Sequence, residues 1–105
     1  SRDSVLATAK AFEDLGVAAY NGAGKLLTST DYLLLAGKIV SVEARHAALV
    51  RDLISNGSFA DLASLAPLGA NNTNGLDAAL NPPEVLAIAS TYVKTRINAS
   101  NLPTS

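Results

Sequence analysis

Apolar residues recur at helical spacing along two long stretches of the chain. In the first, Ala9, Phe12, Gly16, Val17 and Tyr20 form one stripe. In the second, Ile39, Val42, Val50 and Leu53 do the same, with Lys38, Arg45 and Asp52 on the far side. The stop and start signals agree with that period. Ser4 is a plausible N-cap for the first helix, which Asn21-Gly22 and Gly24 would end. The Thr28 to Asp31 run offers a Ser/Thr cap and an acidic first turn for the second, which would continue to Asn56-Gly57. Small residues such as Ala18, Ala19, Ala36, Ala47 and Ala48 would let the two pack closely as an antiparallel hairpin.

After Gly57 the texture changes. Phe59 to Leu65 predicts about two turns of helix capped by Ser58, followed by a loop from Pro67 to Leu80 that contains Asn71-Asn72-Thr73-Asn74-Gly75. Asn81-Pro82-Pro83-Glu84 then supplies a cap, a proline at the first helical position and a capping-box glutamate, which predicts a helix to about Ile97. Its Val85, Ile88, Ala89, Tyr92 and Val93 would pack on the hairpin, and Asn98 to Ser105 should fray. The expected architecture is all-α, with no strand. A helix hairpin over residues 1–57 carries a C-terminal extension over residues 58–105, the whole forming one domain.

The polar residues inside the stripes carry the chemistry. Glu13 lies within the first stripe and Glu43 and His46 within the second, and buried polar groups need partners. Residues three apart share a helix face, so Glu43 and His46 can address one metal ion. A hairpin centred near Thr28 places Glu13 level with them. Carboxylates with an imidazole favour iron, manganese or zinc over calcium. One Glu on one helix and a Glu-x-x-His on the next make half of the ligand set of a carboxylate-bridged di-metal site in a four-helix bundle. A second copy of the chain, or a partner segment, would have to bring the rest. Glu-x-x-His alone is a common pairing, and the same three residues would also serve as a hydrogen-bonded cluster in a purely structural module. Glu84 is better explained as a cap than as a ligand.

Composition narrows the alternatives. The chain has 105 residues, 49% of them hydrophobic, which is enough for a small core and marginal for a free-standing bundle of short helices. A net charge of −1 with 16% charged residues leaves no basic patch, so nucleic-acid binding has no support. Without cysteine there is no disulfide framework or thiolate nucleophile, and no apolar run reaches transmembrane length. The first residue is Ser1 and not Met, which points to a processed, trimmed or partial chain. Sequons at Asn56, Asn71 and Asn98 fall in segments expected to be loops or frayed ends and permit a secreted location.

The stretches AFEDLGVAAYNGAGKLL and YLLLAGKIVSVEARHAALVRDLI resemble the second half of the ferritin-like domain found in desiccation-related and stress-response proteins. The resemblance covers about residues 5 to 55, and its FEDLGVAAYNGA and VEARHAA blocks are more specific than Glu-x-x-His alone. It implies half of a four-helix bundle in which Glu13, Glu43 and His46 form one half-set of di-iron or di-manganese ligands. Glu43 would bridge, Glu13 would cap one metal, His46 would complete its coordination, and Tyr20 would lie near the site. The other half-set is implied to come from a second chain, as a homodimer, or from an upstream helix pair. A redox or stress-protection role follows from the resemblance, and a non-catalytic assembly module with a vestigial site is the alternative.

Overall fold

A computed structural model describes residues 1–104 and shows a helix hairpin with a short helix folded back on it. Helix α1 spans Arg2–Ala23 and α2 spans Thr30–Ile54, joined by a 3-10 turn at Gly24–Leu26. The two long helices pack along their length, and the third, α3 (Pro82–Ala89), lies against α1. Among the described residues there is no strand, only an isolated antiparallel bridge between Asn71 and Leu76. The all-α architecture expected from the periodicity is therefore what forms.

Local chemistry moves several boundaries. The cap of α1 is Ser1, whose hydroxyl accepts from the Ser4 N–H at 3.2 Å, while Ser4 is its capping-box partner three residues on. The helix therefore starts a turn earlier than Ser4 and runs on to Ala23, past Asn21-Gly22. Ser29 caps α2 by accepting from Tyr32 N–H at 3.3 Å, and the helix closes at Ile54 when Ser55 N–H donates to Arg51 O at 2.9 Å.

Residues 59–65 do not form the expected α-helix. Asp61 Oδ1 accepts from Ala63 N–H and opens a new turn there, and a 3-10 helix runs over Ala63–Leu68 with Pro67 inside it. Proline has no N–H to continue an α ladder, and Gly69 ends the segment in the left-handed region at φ 92°. Glu84 forms the capping box at Asn81 as expected, its carboxylate accepting from Asn81 N–H at 2.8 Å. The helix it starts stops at Ala89 and not near Ile97. The Ser90 and Thr91 hydroxyls donate back to Ala87 O and Ile88 O, competing with the helical ladder, and β-branched Thr91, Val93 and Thr95 propagate a helix poorly.

The core is small-residue and shallow. Its buried apolar members are Leu15, Val17, Ala18, Ala47, Leu65 and Ala78. One seam closes it: Leu80 N–H donates to Ala18 O at 2.9 Å and Asn21 Nδ2 donates to Ala78 O at 2.9 Å, so the chain before α3 runs directly over α1. Phe12 and Tyr92 extend the contact with ring centroids 4.8 Å apart. Val85, Ile88 and Ala89 are half-buried as the periodicity predicts, whereas Tyr92 and Val93, beyond the end of α3, stay largely exposed.

Two glycines of α1 separate this closed side from an open one. A methyl group on Gly22 would overlap the Leu80 carbonyl, while one on Gly16 would meet nothing within 4 Å. Gly→Ala in a helix interior is worth about 1 kcal/mol in propensity, so Gly16→Ala should raise stability by that order. At Gly22 the obstacle is backbone, and an overpacking cost of about 1–3 kcal/mol outweighs the propensity gain. Gly22→Ala should lower the urea midpoint and expose residues 58–104 to proteolysis, and Gly16→Ala should do neither.

Candidate metal centre

Glu13, Glu43 and His46 come together as their spacing predicts. One ligand atom from each lies within 4.8 Å of the other two. His46 Nδ1 stands 3.5 Å from Glu13 Oε1 across the hairpin and 3.8 Å from Glu43 Oε2 on its own helix. The two carboxylates are partly sheltered, at 25% and 31% side-chain exposure, and the imidazole is more open at 54%. The cluster thus sits at the mouth of the α1–α2 groove.

The donor set fits a hard or borderline divalent ion. Glu13 Oε2 is buried with no hydrogen-bond partner, so one carboxylate oxygen is held inside the fold with its lone pairs unused. Burial raises the Glu13 carboxyl above the ordinary value of 4.5. Its hydrogen-bonding and like-charge contact with Glu43 adds to that rise, and His46 offsets it only in part. A cation would reverse all three costs at once. Tyr20, two turns after Glu13 on the same side of α1, is half-buried there.

Around the cluster the apolar stripe of α2 is largely uncovered. At 100° per residue, Leu35, Ile39, Val42, Leu49 and Leu53 all lie within about 60° of His46, and all five are exposed. Of the stripe that the sequence marks as a core face, Ile39, Val42 and Leu53 are exposed in the single chain and Val50 is half-buried, with Glu43 and His46 set among them. The C-terminal segment covers the other side of the hairpin: Ala60, Leu62 and Leu65 close over Asp14, Val17 and Ala47. It leaves the ligand side free and does not stand in for a second helix pair.

That covered side holds a feature the sequence reading passed over. Arg51 Nη1 stands 2.6 Å from Asp14 Oδ1, with the side chains only 6% and 8% exposed. The contact is an ion pair and not an in-line hydrogen bond, and Arg51 Nε and Nη2 have no hydrogen-bond partner. A signal was available: Arg51 follows Ala44 and Ala47 at helical spacing, on the side of α2 that faces α1.

The raised Glu13 carboxyl has a consequence for the metal-free protein. A carboxyl that binds its proton more tightly in the folded chain contributes stability that is fully present below the unfolded value near 4.5, and lost as pH rises through the higher folded value. Glu13→Gln should remove that fall. Urea denaturation of wild type and variant should give closely matched stabilities at pH 4 and a more stable variant at pH 7, and equal pH slopes would show that Glu13 is not desolvated.

No curated protein and no solved structure matches the chain. A family model does: it is described as a ferritin-like domain and matches residues 1–56, the hairpin that carries all three clustered side chains. The chain belongs to the ferritin-like domain family.

Proposed function

We propose that the chain supplies half of a di-iron or di-manganese carboxylate centre, with residues 1–57 as the metal-binding hairpin and residues 58–105 as an extension that closes its back. The observation that carries this reading is the Glu13, Glu43 and His46 cluster opening onto an uncovered apolar face. A metal pair held there would supply redox chemistry toward oxygen or peroxide, in a role of stress protection. Glu43, Glu13 through its sheltered Oε2, and the His46 ring would hold the metals.

What the chain's own residues contribute is preorganisation. Burial of Glu13 Oε2 discourages water from competing for that oxygen, and the i, i+3 placement of Glu43 and His46 on α2 fixes their separation without loop entropy. Ligand residues must shed protons to bind a cation, so the raised Glu13 carboxyl makes affinity fall as pH drops through its titration.

The missing half-set is proposed to come from a second helix pair seated on the exposed Leu35, Ile39, Val42, Leu49 and Leu53 stripe. A symmetric homodimer supplies two Glu and two Glu-x-x-His motifs, the complement of a full site. An upstream helix pair of the same polypeptide would do so equally. No helix among the described residues is long and apolar enough to cross a membrane.

Native mass spectrometry after reconstitution with iron or manganese tests the reading. The expected species is a dimer carrying two metal ions. Glu43→Ala and His46→Ala should abolish stoichiometric metal, and Glu84→Ala should leave it intact, costing about 1 kcal/mol as a lost cap. A metal-free monomer would overturn the homodimer, and Glu43→Ala raising the melting temperature equally with and without metal would return the cluster to a structural, non-catalytic role.

A further inference from the structure

The α1–α2 interface is built from residues that hold helices close but lock them poorly. Ala47 is buried in it, with Ala44 and Ala48 beside it and Val17 on the facing helix, and alanine side chains project too little to fix the register of two helices strongly. Polar contacts add to the register, beginning with Arg2 Nη2, which donates to Leu53 O at 3.2 Å where the helix ends meet. Near the cluster, the polar side-chain contacts between the two helices are Glu13 with His46 on the open side and Asp14 with Arg51 on the closed side. The first pair is partly solvated and long at 3.5 Å. The second is 2.6 Å and almost wholly buried, where opposite charges attract far more strongly than at the surface.

The two pairs are mechanically joined. Asp14 follows Glu13 directly, so the two side chains leave the same turn of α1 about 100° apart, one into the ligand groove and one under the C-terminal segment. Arg51 lies five residues beyond His46 on α2. A slide of one helical turn, about 5.4 Å, would break the 2.6 Å contact and carry Glu13 away from His46 in the same movement. Asp61, Asp77 and Leu65 border the small cavity of about 50 Å³ beside the guanidinium, so the fold of the C-terminal segment encloses the pair.

We propose that Asp14 and Arg51 are positioning residues that fix the register of α1 on α2, and with it the distance from Glu13 to His46. Packing of residues 58–80 over the pair keeps it buried. The role couples the back of the hairpin to its ligand face. It rests on the proposed metal reading only for its functional meaning, since the geometry of His46 against Glu13 exists without metal.

The test replaces the ion pair with apolar groups of similar size, Asp14→Leu/Arg51→Met, because a buried pair exchanged in this way usually leaves a protein folded. Two readouts are followed: the ring nitrogen shifts of His46 in the metal-free protein by NMR, and titration with Co²⁺ alone by visible absorption. The apolar variant should keep its helical circular dichroism, shift the His46 ring nitrogens, and lose Co²⁺ affinity by about tenfold or more, the scale expected when groups supporting a ligand are removed. The reversed pair, Asp14→Arg/Arg51→Asp, should recover both. Wild-type His46 shifts and Co²⁺ affinity in the apolar variant would overturn the proposal. Should the apolar variant not fold, the reversed pair decides: wild-type His46 shifts support the register role, and displaced shifts in a folded reversed pair overturn it. A wild-type protein that binds no Co²⁺ would refute the metal reading separately and leave the His46 shifts to judge the positioning.

Discussion

How near α1 can come to α2 governs almost everything else in this molecule. Glu13 and His46 stand on different helices, and Ala44, Ala47 and Ala48 on α2 allow the close approach that their 3.5 Å separation requires. A larger residue at Ala47 would push the helices apart and open the cluster before any question of metal arose. Close approach has a cost, however. Small side chains bury little apolar area, so the hairpin gains modest hydrophobic stability for its length, at roughly 25 cal/mol per Å² buried. The core reflects this, with no large side chain fully buried among the described residues.

Two devices offset that thinness. One is the C-terminal segment, which brings Leu65, Ala78 and Leu80 onto the back of the hairpin and lays its backbone on α1 through the Leu80 to Ala18 hydrogen bond. The other is the Asp14 and Arg51 pair. Breaking a buried ion pair by removing one partner costs about 3–5 kcal/mol, whereas replacing both can be neutral. The pair is therefore weak as an argument for stability and stronger as one for specificity. Its burial beneath residues 58–80 also means that neither member would be tolerated alone.

The architecture was legible where periodicity and capping act locally. The two long helices, the hairpin between them and the Asn81, Pro82 and Glu84 start of α3 all follow from patterns a few residues wide. Where the reading failed, a competing local interaction decided. Ser1 displaced Ser4 as a cap, Asp61 and Pro67 turned the segment after Phe59 into a 3-10 helix, and hydroxyl back-bonding ended α3 at Ala89. The clustering of Glu13, Glu43 and His46 followed from i, i+3 spacing and hairpin symmetry. The apolar stripe was identified correctly as a pattern, but what covers it is a question of assembly that periodicity cannot answer. Arg51 escaped because a lone arginine reads as surface until its partner across the hairpin is known, and Asp14 stands beside the more conspicuous Glu13.

The same division explains why the hairpin has two unlike sides. Its back is closed by small residues, a buried charge pair and a glycine that admits a backbone carbonyl, and contacts of that kind leave no room for a second partner. Its front keeps large aliphatic side chains in water around three polar groups, an arrangement a monomeric surface seldom maintains. Moving the C-terminal segment to the front would hide the aliphatic residues, but it would also bury Glu13, Glu43 and His46 without the further ligands that two carboxylates and one imidazole require to satisfy a metal. Placing it on the back stabilises the hairpin while leaving the ligand face available. The extension thus stabilises the hairpin from its back and leaves its aliphatic front open.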